Sequence, residues 1–313
     1  LENLTGVTVT GPDGGQTTEH YAQVPESVFT PPALPDYVVG EVYKSEMPDG
    51  SVVERFYQSN VPVGSYPTQL NKANRFVKYE FTSLRDAAGN LTKTAIKEYS
   101  RDKNGNVTEV KEYDFVSYSS IPRNSLGRVY TLPSGITPAR ITKTAYYNDT
   151  PDSTSTTFTD PDSYYLAGNP RLLGLVKSTE IQDGSGNPKS RTEIYYDHTS
   201  YSGSNTKGGN PIETRSWDST KQATLQEADS NGYKLVNSNY ISSLVSYDAY
   251  GNPTQTTDAN GVQTTITYGC IDGQIFCAAN MKDLYPTRTE TASNYPSVKR
   301  TSTAQYDFYT GLV

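Results

Sequence analysis

The sequence predicts an all-β fold, a strip of antiparallel β-hairpins with helix confined to a turn or two. Three observations predict it. A turn of the form Asp-x-x-Gly-Asn recurs between runs rich in Thr, Tyr and Val. Those runs alternate with period two, and no helical periodicity of useful length interrupts them. The aromatic residues are concentrated in tyrosine, 26 Tyr against 8 Phe and 1 Trp, a ring whose hydroxyl can reach water or a carbonyl and so suits half-buried sheet faces.

The clearest copy lies at 247–268, YDAYGNPTQTTDANGVQTTITY. Tyr247-Asp248 opens a turn that Gly251-Asn252 closes, and a Thr-rich strand runs to a second turn at 258–261. Gly251 and Gly261 are expected at positive φ, with Asp and Asn bonding locally to the backbone. Shorter copies stand at 85–90, 101–106 and 183–187, so that Gly89, Gly105 and Gly186 are candidate turn residues as well. Repetition of this kind places the function in overall shape rather than in one reactive cluster.

Alternation assigns the faces. Val262, Thr264, Ile266 and Tyr268 share one side of a strand, and Thr192, Ile194 and Tyr196 repeat the pattern opposite Arg191 and Glu193. In 91–99, Lys93 and Lys97 share the side of Leu91, Ala95 and Tyr99, which predicts a bulge or a wet inner face. The first 75 residues are less regular. Two hairpin-like units, GPDGG at 11–15 and MPDGS at 47–51, flank a connector marked by Pro25, Pro31, Pro32 and Pro35. Residues 148–170 and 198–210 read as longer loops. The expectation is an irregular β segment over 1–75 continuous with a repeat region over 76–313, in place of two independent domains.

These residues resemble the Rhs/YD repeat of bacterial Rhs proteins, insecticidal toxin-complex subunits and teneurins. The likeness is carried by YDxxGN followed by TDxNG, by the cadence of 172–197, by LYPTRT at 284–289 and by YDFYTGLV at 306–313. It extends over about residues 79–313. The resemblance implies a curved, shell or solenoid-like strip that encloses or presents a toxic or adhesive cargo domain, in a secreted or cell-surface protein. Its partners would be the remaining repeats and C-terminal cargo domain of the parent chain, or a glycan or cell-surface protein. Tyr79, Tyr99, Tyr113, Tyr247, Tyr268 and Tyr306 would then carry the packing of the repeat. Relatives often continue into a self-cleaving core near a DPxG element; Asp160-Pro161-Asp162 lacks the glycine, so that activity is not carried over. A sequence that begins at Leu1 and ends inside a repeat-like element reads as part of a longer protein.

The composition restricts the alternatives. A net charge of -7 disfavours a nucleic-acid partner, and no apolar run approaches the length of a membrane span. Cys270 and Cys277 flank a turn-like stretch; a local disulfide is the expectation, with two free thiols as the alternative, and two cysteines are too few for a zinc site. His20 and His198 lie in polar surroundings without metal spacing. No P-loop, HExxH or nucleophile-elbow motif occurs. A glycosidase-type carboxylate pair is the most tempting enzyme reading, but Asp86, Asp102, Asp248 and Asp258 stand where turns open and their side chains cap N–H groups. Asp102 begins a stretch faintly like a calcium loop, without the later bidentate Glu. The sequence therefore predicts a structural, non-catalytic protein with no cofactor. An adhesin that binds through exposed tyrosines is the second reading and a glycosidase the third.

Overall fold

The structure, a computed structural model, describes residues 6–21, 41–59, 75–102, 105–147, 174–197, 209–221, 223–225, 233–235, 240–269 and 284–306. Cys270, Cys277, His198, the proline connector and the Asp160-Pro161 dipeptide lie outside them.

The fold is all-β. Among the described residues, sixteen strands are hydrogen-bonded in sequence order in one open antiparallel sheet. They are β1 (Gly6–Thr10), β2 (Gln16–Tyr21), β3 (Val42–Glu46), β4 (Val52–Ser59), β5 (Arg75–Arg85), β6 (Leu91–Arg101), β7 (Val107–Ser117), β8 (Pro138–Tyr146), β9 (Val176–Asp183), β10 (Pro188–Tyr196), β11 (Pro211–Trp217), β12 (Tyr240–Tyr247), β13 (Pro253–Thr257), β14 (Gln263–Tyr268), β15 (Pro286–Thr291) and β16 (Arg300–Thr303). The helix among the described residues is a single 3-10 turn at Tyr118–Ser120. Chain contacts group into two compact units, Leu1–Thr144 with Ile181–Lys189, and Ala145–Glu180 with Ser190–Val313.

In the first unit the core is built from cross-strand rows. Glu54, Phe81, Ile96 and Tyr113 stand opposite one another on β4 to β7, and Val52, Ser83, Thr94 and Val116 form the row beside them. Facing residues in adjacent strands share one side of the sheet, so each row is a contiguous ladder. The segment that follows β7 lays Ile121 and Val129 over Phe81 and Ile96, with Leu132 and Ile136 packed around them. Ser83 and Thr94 are fully buried and satisfy each other through a 2.9 Å hydroxyl contact.

The covered side of β6 is that of Thr94 and Ile96, not that of Leu91, Ala95 and Tyr99. Lys93 and Lys97 remain exposed, and a register shift between Thr94 and Ile96 in the pairing with β7 supplies the irregularity that their placement demands.

In the second unit the buried side is polar. Ser178 and Glu180 of β9 are buried, as are Arg191 and Glu193 of β10. The alternation of Thr192 and Ile194 against Arg191 and Glu193 holds with the charged side covered, the reverse of what hydropathy selects, while Tyr196, the third residue of the expected apolar face, is buried beyond a register shift after Tyr195. The apolar cluster here is aromatic: Tyr147, Tyr196 and Tyr233, with Leu175, Ile194 and Tyr195 around them.

Candidate functional site

The recurring unit is the turn and the strand end that precedes it. At Asp86, the N–H of Gly89 bonds to the Asp86 carbonyl at 3.0 Å and the N–H of Asp86 to the Asn90 carbonyl at 2.9 Å. The same pair of bonds closes the turns that open at Gly11, Met47, Asp102, Asn124, Asp183, Asp248 and Asp258. The fourth residue is always glycine, and Gly89, Gly105, Gly186, Gly251 and Gly261 have φ of 85, 87, 85, 87 and 77°. The carboxylates of Asp86, Asp183, Asp248 and Asp258 each take two backbone N–H groups, at 2.8 and 2.9 Å for Asp248. The Asp102 carboxylate accepts both the backbone and the side-chain N–H of Asn106, at 2.9 and 3.0 Å. The turn at Asn124 was not singled out from the sequence; its signal is Asn-x-x-Gly, with Asn replacing Asp as the local acceptor.

Gly251 and Gly261 are the positions where this geometry can be tested. No backbone crowds either glycine, so the demand is conformational rather than steric. Replacing either with Val forces a β-branched residue to positive φ and is expected to destabilise by about 1–3 kcal/mol. Chemical denaturation of each variant against the parent measures it, and unchanged midpoints would contradict the turn assignment.

The turn carboxylates are also electrostatically tuned. The Asn90 N–H holds Asp86 below the usual carboxylate range, the Ser51 hydroxyl does so for Asp49, and the Lys189 ammonium with the Asn187 N–H does so strongly for Asp183. A folded-state value below the unfolded one contributes stability that is present above about pH 4 and is lost as the pH falls through the lowered value. Melting temperatures are therefore expected to hold steady from neutral pH to about 5 and to fall below about 4.

Strand ends are fastened in two ways. Where arginine precedes the turn, its guanidinium returns to the carbonyl of the turn glycine: Arg85 to Gly89 at 2.8 Å, Arg101 to Gly105 at 2.7 Å and Arg123 to Gly127 at 2.8 Å. Arg85 also reaches the Gly50 carbonyl at 2.8 Å and so ties two turns together. At three strand ends a tyrosine hydroxyl crosses to the carbonyl of the first residue of the preceding strand. Tyr57 reaches Val42, Tyr196 reaches Val176 and Tyr247 reaches Pro211, each at 3.0 Å. Phenylalanine could fill the same space but could not make this bond. Tyr247→Phe and Tyr196→Phe are each expected to cost about 1 kcal/mol, measurable by urea denaturation.

The register explains a further element of the repeat. Tyr113, Tyr196, Tyr247 and Tyr268 pair with Pro138, Pro211, Pro253 and Pro286, each beyond a register shift. Proline is accepted as the first residue of a strand because it has no donor to offer the ladder there.

The tyrosines expected to pack the repeat have distinct settings. Tyr79 stacks on Phe56 with ring centroids 5.8 Å apart and meets Phe81 edge-on. Tyr113 borders the same core and donates to Glu98 at 2.8 Å, and burial together with that carboxylate pushes its hydroxyl well above the usual range. Tyr99, Tyr247 and Tyr268 are half-buried. Tyr306 stacks on Tyr285 at 4.9 Å. The most enclosed tyrosines among the described residues, Tyr147, Tyr196 and Tyr233, are different ones, and their burial comes from long-range packing that no local motif encodes. His20 lies on β2 with its Nε2 3.2 Å from Glu46.

The densest polar constellation is in the second unit. Arg191 Nε lies 2.6 Å from Glu193 Oε1 and its Nη1 2.9 Å from Glu180 Oε2. Across from this cluster, the Glu193 carboxylate accepts the backbone N–H groups of Lys234 and Leu235 at 2.8 and 3.1 Å. Lys234 Nζ reaches Glu180 at 3.0 Å, and Arg215 donates to the Leu235 carbonyl at 3.0 Å. The first unit has a smaller counterpart, in which Arg123 of the covering segment grips the buried Glu54 with two 2.6 Å bonds. In both units a sheet carboxylate is answered by a cation on the segment that covers it.

No protein-family model matches this sequence, and no curated protein matches it. Among solved structures the chain is similar to the crystal structure of TcdB2-TccC3-TEV, at 11% identity and a TM-score of 0.49, over 95% of this chain and 18% of that one. It is similar to TcdB2-TccC3-Cdc42 at 11% identity and a TM-score of 0.31, over 98% of this chain and 16% of that one. For the Tc holotoxin pore of Photorhabdus luminescens the values are 12% and 0.17, over 95% and 16%. The chain thus spans less than a fifth of the length of these structures. Likenesses of this size decide neither fold nor function. Among the described residues no helix is long and apolar enough to cross a membrane, which says nothing of a β-barrel.

Proposed function

We propose that this chain is a structural stretch of a Rhs/YD-repeat shell, part of a secreted or surface protein, whose wall encloses or presents a cargo domain belonging to the same parent chain. The observation that carries the reading is the repetition itself: one turn geometry, with arginine or tyrosine fastening the strand ends, recurs while strands are added in sequence order. A sheet extended in this way gains area with each hairpin, which is what a wall requires. On this reading, residues 1–75 and 76–313 are continuous parts of one strip. The buried carboxylates are occupied by arginine, lysine and backbone donors, so no residue is assigned a catalytic role. The half-burial of Tyr79, Tyr99, Tyr113, Tyr247 and Tyr268 favours wall packing over an exposed aromatic row for glycans.

Small-angle scattering of the full natural gene product tests it. A hollow particle is the expected result. A solid particle, or saturable glycan binding that Tyr250→Ala abolishes at the 74% exposed ring, would replace the shell with the adhesin reading.

A further inference from the structure

The connection between β15 and β16 contains Ala292, the one non-glycine residue at positive φ among the described residues. Its φ of 53° is a left-handed conformation that persists where the surroundings over-determine it. The surroundings here are hydrogen bonds to the β13–β14 hairpin. The Asn294 side chain accepts the Gln263 N–H at 3.0 Å and donates to the Gly261 carbonyl at 2.9 Å. Ser293 gives its own N–H to the Gln263 carbonyl at 2.9 Å. Two successive turns follow, closed by the Tyr295 N–H on the Ala292 carbonyl at 2.9 Å and the Val298 N–H on the Tyr295 carbonyl at 3.0 Å. The result is a knuckle with a fixed base and an apolar apex. Tyr295 and Val298 are 46% and 62% exposed, and Pro296 between them is exposed as well.

A connection that only joins two strands does not need such an apex; the turns at 86–90 and 183–187 carry Ala87 and Ala88, or Gly184 and Ser185, at their tips. Charge sets the knuckle apart again. Lys299 and Arg300 follow the apex at once and are both exposed. Glu290 holds Arg288 at 2.6 Å and Lys299 at 2.9 Å, one carboxylate between two cations. With Asp258 of the clamped turn included, three cations stand against two carboxylates, in a chain whose net charge is -7. We propose that this knuckle docks on an anionic lipid surface, with Tyr295, Pro296 and Val298 entering the interface and Lys299 and Arg300 lying against the headgroups. A tyrosine ring with a polar end settles at headgroup level, an aliphatic side chain adds burial, and cations add an attraction that salt screens. An exposed apex suits a lipid surface, which offers no shaped pocket, better than it suits a protein cleft. One short apex with two cations makes the docking peripheral and reversible. The inference goes beyond the shell reading and does not depend on it.

Co-sedimentation with vesicles of phosphatidylcholine containing phosphatidylserine, and with vesicles of phosphatidylcholine alone, tests it. Partition onto the anionic vesicles only is expected, and it should weaken as salt is raised. Arg300→Gln should lower that partition about fivefold, the factor that one surface cation contributes. Val298→Asp should lower it roughly tenfold or more, because it removes apolar burial and adds a repelled charge. Equal partition onto both kinds of vesicle overturns the proposal, and so does absence of partition onto either. Anionic-vesicle binding that both variants retain in full also overturns it, since the contact would then lie elsewhere on the chain. Both positions are exposed, so the fold is expected to survive, and circular dichroism checks that it does. Should Val298→Asp not fold, Arg300→Gln decides alone.

Discussion

Glu193→Ala is expected to destabilise the second unit by about 3–5 kcal/mol, the range for breaking a buried charge network by removing one partner. The side chain is 0% exposed, and its two oxygens serve Arg191 and two backbone N–H groups at once. Truncation leaves those donors buried with no water to replace the acceptor, and desolvation of orphaned groups dominates the cost. Glu193→Gln keeps one acceptor oxygen but surrenders the charge, and should cost roughly half as much. Glu112, whose partners Lys97 and Arg140 are half exposed, is the comparison: Glu112→Ala should stay within about 1 kcal/mol of the parent. Equal losses at the two positions would show that solvent screens the Glu193 cluster after all. Guanidinium denaturation followed by circular dichroism measures each variant.

That cluster is also where the reading of the sequence ends. Turns were legible because their determinants are local. An Asp or Asn that accepts N–H groups from its own turn, and a glycine at positive φ, are written within five consecutive residues, and the turn at Asp248 could be drawn from them. Strand direction and period two were legible for the same reason. The covered side of a strand was not. Arg191 and Glu193 are buried because Glu180 and the backbone N–H groups of Lys234 and Leu235, 11 to 42 residues away in sequence, complete their bonding. A pattern of single residues assigns charges outward, since an unpaired buried charge is prohibitive. The error therefore falls where pairing is long-range. Arg123 and Glu54, separated by 69 residues, teach the same point in the first unit.

Tyrosine was half legible. Its abundance pointed to half-buried sheet faces, and the half-buried settings of Tyr99, Tyr247 and Tyr268 agree with that. What the hydroxyl does could not be read, because its acceptor is the first carbonyl of the neighbouring strand, about 15 to 36 residues upstream depending on the connection. The pairing of strand-end tyrosine with strand-first proline was present in the letters as Tyr247 and Pro253, but register is needed to see it as a pair. Long connections disguise it elsewhere, as between Tyr196 and Pro211.

The largest loss in the first unit is expected from Phe81→Ala, about 3–5 kcal/mol for removing a fully buried ring. Phe81 is the centre of the row Glu54, Phe81, Ile96 and Tyr113, and Ile121 and Val129 cover it from above. The core there is one sheet face and one covering segment, so few neighbours can move inward to close the space, and the cavity term stays with the transfer term. Water entering beside Glu54 would solvate a carboxylate that Arg123 already satisfies, and would offset little. Phe81→Leu retains most of the volume and should cost about 1–1.5 kcal/mol. Phe115 supplies the control, since it lies in the same sheet but is 57% exposed, and Phe115→Ala should remain within about 0.5 kcal/mol of the parent. Hydrogen exchange then localises the effect: the amides of β5 and β6 should lose protection together in Phe81→Ala, because their shared row is what the ring holds. Similar losses for Phe81 and Phe115 would mean that the segment after β7 does not cover the sheet, and the core of this unit would have to be placed on its other side.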